Sequence, residues 1–99
     1  MYHRPEYDPQ MPLTTAIRLY WNTWHDLERG EVIVRLRQAG ATHRELAGIA
    51  GCSEGNIRNM EIVGRLPWYW KEGLLNGHST REVLKAWRAQ KKRLGAGPN

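Results

Sequence analysis

Cysteine is almost missing from this chain. Cys52 is the single one in 99 residues, so no internal disulfide can form, and it reads as a small buried hydrophobe. A lone thiol cannot seed a structural zinc site, and His3, His25, His43 and His78 fall at spacings that match no ligand motif. No metal and no cofactor are therefore expected. No stretch approaches the roughly 18 consecutive apolar residues of a membrane span, so a membrane is not an expected partner. The polar start of the chain, with Pro5, Pro9 and Pro12 among mixed charges, fits neither a secretory nor a transit signal. The cytoplasm is the expected compartment. No nucleophile triad, phosphate-binding loop or paired-carboxylate pocket is visible, and a chain of this size leaves little room for a buried reaction site, so no enzymatic activity is expected. Alternating apolar and polar runs of useful length are also missing, which excludes a sheet.

What is present is helical periodicity and positive charge. The net charge is +5, and it is unevenly placed. Residues 67–99 hold seven basic and two acidic side chains, which accounts for the whole excess. Such a balance permits nucleic acid as a partner without fixing a fold. Residues 1–12 read as a flexible arm and residues 95–99 as a disordered tail. Between them, residues 13–94 read as a single all-α domain, a small bundle of about five to six helices.

Leu13, Ile17, Tyr20, Trp21, Trp24 and Leu27 recur at three- and four-residue steps, the stripe of a helix ending near Gly30. A second period, Val32, Ile33, Leu36 and Ala39, closes at Gly40, and the pattern leaves open whether Gly30 breaks or bends the helix. Thr42-His43-Arg44-Glu45 is a capping box, with the Thr42 hydroxyl aimed at the amide of residue 45 and Glu45 reaching back to the cap. Its helix carries Leu46, Ala47, Ile49 and Ala50 and stops at Gly51. Ser53 caps the next helix, with Ile57, Met60 and either Val63 or Ile62 turned inward. Leu66-Pro67 starts a short helix over Trp68–Leu75, and the capping box Ser79-Thr80-Arg81-Glu82 opens a last one carrying Val83, Leu84, Trp87 and Leu94.

Residues 42–67 meet the steric demands of a helix-turn-helix. Ala47 is small where two helices must approach, Gly51 lies in the tight turn, and Cys52, Ile57 and Met60 fill the angle. The outward face of the second helix is unusual for one that merely faces water. Ser53, Glu54, Gly55, Asn56, Arg58 and Asn59 are short, polar or hydrogen-bonding, and the Gly and Asn among them are poor helix formers. Gly55 alone costs about 1 kcal/mol relative to Ala. A surface that gives up helix propensity for amides points to contacts with a partner.

Residues 31–87 resemble the helix-turn-helix domain of the ParB/KorB family of partition and regulatory proteins. Ala41-Thr42-His43-Arg44-Glu45-Leu46-Ala47 is similar to the family's opening (L/M)-(T/S)-x-x-E-(L/I)-A. Gly51-Cys52-Ser53, then Ile57, Asn59 and Arg65-Leu66-Pro67, match G-x-S-x-x-x-(V/I)-x-N followed by L-P. Leu74, Gly77 and Ser79 resemble its continuation. Glu54 departs from the Arg or Lys usual there, and the family's nucleotide-binding domain with its arginine-rich box is absent from these residues. The resemblance implies a stand-alone DNA-reading module of the kind found in small transcriptional regulators of bacteria and mobile elements, associated with the nucleoid.

On this reading, the helix Ser53–Val63 lies in the major groove of double-stranded DNA. Arg58 is the candidate for a bidentate contact to guanine, Asn56 or Asn59 for adenine, and Glu54 for a cytosine amino group. Asn59 is equally a candidate for a structural bond to backbone, and Glu54 for stabilising the helix dipole. Ser53 caps this surface, and Gly55 allows close approach. Thr42, His43 and Arg44 at a helix start, and Arg81, Lys85, Arg88 and Lys92 along one face of the last helix, are candidates for phosphate. A homodimer on a palindrome is left open, since no heptad seam is present. The alternative reading is a protein-interaction adaptor that keeps the scaffold but binds through Trp21 and Trp24 or through Trp68–Trp70.

Overall fold

The computed structural model describes residues 10–95, the backbone alone for residues 94 and 95. Of the expected arm over residues 1–12 and tail over 95–99, residues 1–9 and 96–99 lie outside the described residues, as does the Leu94 side chain, while Gly95 is the last residue of the final helix. Six α-helices and one 3₁₀ turn make up the described structure, which is all-α, with no strand among the described residues. They are α1 (Leu13–Tyr20), α2 (Asp26–Gln38), α3 (His43–Ala50), α4 (Glu54–Arg65), α5 (Trp68–Leu75) and α6 (Thr80–Gly95). The chain divides into two compact units, one ending at Arg65 and one beginning at Leu66. The boundary falls two residues before the end of the 42–67 stretch.

In the first unit, the helix started at Leu13 ends at Tyr20, ten residues before Gly30. After α1 the chain takes a 3₁₀ turn over Trp21–Thr23, then Trp24 and His25 are extended. His25 caps α2, its Nδ1 accepting from the Leu27 amide at 3.1 Å, and Asp26 and Glu28 place negative charge in the first turn. Arg29 binds the turn to α2. Its Nε donates to the Trp21 carbonyl at 2.8 Å, its Nη1 to Asp26 Oδ1 at 2.9 Å, and its guanidinium lies 5.4 Å from the Trp21 ring centre.

Gly30 neither breaks nor ends α2, which runs through it. A Cβ there would meet the Gly64 amide nitrogen at 2.7 Å and the Met60 carbonyl at 2.8 Å. A Cβ on Gly64 would strike the Gly30 carbonyl and meet Val34 Cγ2 at 2.6 Å. The backbones of α2 and α4 touch, and only hydrogen fits at both positions. Around this contact Val32, Ile33, Ile57, Met60 and Val63 are buried with Ile17 of α1 and Leu46 and Ala47 of α3. Trp21 and Trp24 are buried too, their rings 6.4 Å apart. Glu28 is the buried charged residue of the set, and its Oε2 has no hydrogen-bond partner.

In the second unit, α5 follows extended Pro67 and ends at Asn76-Gly77, and the Ser79 Oγ caps α6 by accepting from the Glu82 amide at 3.1 Å. Trp70 meets Trp87 edge-on at 5.4 Å between ring centres, while Leu74, Val83 and Leu84 are buried. Trp68 and Tyr69 are exposed, so of the three aromatics in a row only Trp70 turns inward.

Candidate nucleic-acid interface

The two helices α3 and α4 are joined by Gly51-Cys52-Ser53. Gly51 has φ 72° and ψ 34°, the left-handed conformation that a residue without Cβ adopts freely, and its amide donates to the Ala47 carbonyl at 2.9 Å. Cys52 is half-buried, with a free thiol. Both helices are capped as their sequences predict. The Thr42 Oγ1 accepts from the Glu45 amide at 3.1 Å, and the Ser53 Oγ from the Asn56 amide at 3.1 Å. The capping box differs in one detail. The Glu45 carboxylate accepts a hydrogen bond from the Thr42 hydroxyl at 3.1 Å, where the motif has it bond the cap amide.

α4 turns Ile57, Met60 and Val63 to the core, which leaves Ser53, Glu54, Gly55 and Arg58 exposed at its start. Glu54 and Arg58 are one turn apart, with Oε1 and Nη2 separated by 3.9 Å. Asn56 and Asn59 are half-buried, and Asn59 has an interaction partner. A Cβ built on Gly55 would meet nothing closer than the Ser53 Oγ at 3.8 Å. One on Gly48, exposed in α3, would meet nothing within 4 Å. These two helical glycines have no packing reason, unlike Gly30 and Gly64.

At the start of α3, Thr42 and Arg44 are exposed, but His43 is not free to meet a phosphate. Its Nε2 lies 2.7 Å from Glu61 Oε1 on α4. The Glu61 Oε2 accepts from Arg37 of α2 at 3.4 Å and from Arg65 at 3.3 Å, and Arg37 also donates to the Ala41 carbonyl at 2.7 Å. Burial pushes the Glu61 carboxyl up, yet the bonds from His43 and Arg65 and the charges of Arg37 and His43 outweigh it and hold the group below its usual range. Glu61 and Arg37 thus join three helices. Sequence reasoning missed both; only the four-residue step to Arg65 signalled a pair.

The second unit carries Arg81, Lys85, Arg88 and Lys92 exposed along α6 at helical spacing, as the sequence predicts, and Arg88 has an interaction partner of its own. Tyr69, Trp70, Gly73, Val83 and Ala86 line a cavity of about 320 Å³ together with His78 and Glu82, whose side chains are 3.7 Å apart. Among the described residues no group of His, Cys, Asp and Glu could hold a metal ion, and no helix is long and apolar enough to cross a membrane. No protein-family model, curated protein or solved structure matches the chain. The likeness to ParB/KorB domains rests on the residues quoted for it.

Proposed function

We propose that this chain binds double-stranded DNA sequence-specifically, as a small regulator, with the first two turns of α4 in the major groove. The observation that carries this reading is Gly55. It sits in a helix, in open space, where alanine would fit and would stabilise the helix by about 0.5–1 kcal/mol. Its bare backbone lies between exposed Glu54 and Arg58, which gives a low surface flanked by hydrogen-bonding side chains. The base contacts then fall to Glu54 and Arg58, with Asn56 beside them, and exposed Arg44 at the start of α3 supplies a phosphate contact, the Thr42 hydroxyl being taken up by Glu45. α6 offers a second, sequence-blind set of cations to phosphate.

A mobility shift with competitor DNA tests this. The chain is expected to retard a selected duplex at low salt, and Arg58→Ala is expected to cost about 1–3 kcal/mol on that duplex while leaving random DNA nearly unaffected. No shift with any duplex would sink the reading. A second reading, a protein-interaction adaptor, is favoured by Trp68 and Tyr69, which are 60% and 63% exposed, Tyr69 also lining the α5–α6 cavity. Loss of partner capture on Trp68→Ala, with duplex binding absent in the parent chain, would decide for it.

A further inference from the structure

We infer that Glu54 and Arg58 act as one reader of two adjacent G·C pairs, Glu54 taking the cytosine amino group of one and Arg58 the guanine edge of the next. This rests on the DNA reading above and names the duplex that α4 selects. The two side chains share a face of α4, and both are well exposed, 48% for Glu54 and 60% for Arg58. Their charged tips are 3.9 Å apart. That is too long for a hydrogen bond, so the donors of one and the lone pairs of the other stay available while charge keeps them side by side. The gap is close to the roughly 3.4 Å that separates successive bases along a strand.

The chemistry then selects the bases. An ionised carboxylate only accepts, and in the major groove only cytosine N4 and adenine N6 donate. Adenine presents the N7 acceptor beside its amino group, which repels a carboxylate, whereas cytosine presents the donor alone. The guanidinium fork fits guanine O6 and N7. Guanine or thymine opposite Glu54 would face oxygen to oxygen. Glu54 also repels phosphate on every duplex, so it penalises sites that lack the cytosine and narrows the set of sequences bound.

Selection of bound duplexes from a random pool, with the full chain and three variants, tests the pair. The parent chain is expected to enrich sites with two adjacent G·C pairs. Glu54→Gln is expected to change cytosine to adenine at one position and leave the neighbouring guanine, since an amide pairs with adenine N6 and N7. Arg58→Ala is expected to free the guanine position. On fixed duplexes, replacing the cytosine should weaken the parent roughly 5- to 150-fold and Glu54→Ala less than about twofold. Glu54→Ala should also bind random duplex about twofold tighter. Enriched sites without adjacent G·C pairs, or the same preference in the parent and both Glu54 variants, would overturn the inference and leave the DNA reading standing. A parent chain that enriches nothing and shifts no duplex would overturn both.

Discussion

One carboxylate, that of Glu61, meets two guanidinium groups and an imidazole at once. Arg37, His43 and Arg65 come to it from α2, α3 and α4, and the group is held below its ordinary pKa of 4.5. A depressed carboxyl contributes stability above its unfolded pKa, and that contribution disappears as pH falls through the folded value. Glu61→Gln is therefore expected to lose about 1–3 kcal/mol at pH 7. In urea melts, the difference from the parent chain should close as the pH drops below 4.5. A pH-independent difference would contradict the ionic account. Part of this site was legible beforehand, because Arg65 lies one turn after Glu61. The rest was not. Arg37 and His43 are 24 and 18 residues away in sequence, and no period links residues that meet only when three helices pack. That is also why His43, next to a helix cap, read as a phosphate ligand.

At the level of the element, signals held in a few neighbouring residues were readable. The Thr42 and Ser79 caps, the Gly51 turn and the start after Pro67 all lie where the sequence puts them. The break between α1 and α2 was hidden, because the apolar stripe continues across Trp21 and Trp24 and the cap is a histidine, a residue with no strong N-cap signature. Glycine carries opposite meanings in one helix. At Gly64 a methyl group would strike the α2 backbone, and Gly64→Ala is expected to destabilise by about 1–3 kcal/mol or more. Gly55→Ala is expected to stabilise by about 0.5–1 kcal/mol while weakening duplex binding. Thermal melts of the two variants beside a binding titration check the pair. A Gly55→Ala chain that is more stable and binds duplex unchanged would remove the reason given for that glycine.

Across the whole molecule, the net charge and the proposed reading surface are divided. The first unit carries the α4 face, and the net positive charge of the chain resides in residues 67–99. The uneven charge was legible in the sequence, since it needs only counting. Affinity for any duplex is expected to fall steeply as salt rises. Lys85→Ala should weaken selected and random DNA alike and reduce the slope of log affinity against log salt by about one. Titrations at several salt concentrations measure this. An effect confined to the selected duplex would mean that Lys85 reads bases.

The glycine contact between α2 and α4 also makes α4 a lever. Its pivot, Gly64, is ten residues from Glu54, about 15 Å along the axis. A tilt of about 4° at the pivot therefore displaces the far end by roughly 1 Å, more than the roughly 0.5 Å tolerance of a positioned recognition group. Backbone resting on backbone has no rotamer through which to relax, so the close contact at Gly30 and Gly64 constrains the angle. A single methyl at the pivot would re-aim every side chain at the other end, which makes Gly30 and Gly64 determinants of aim as well as of packing.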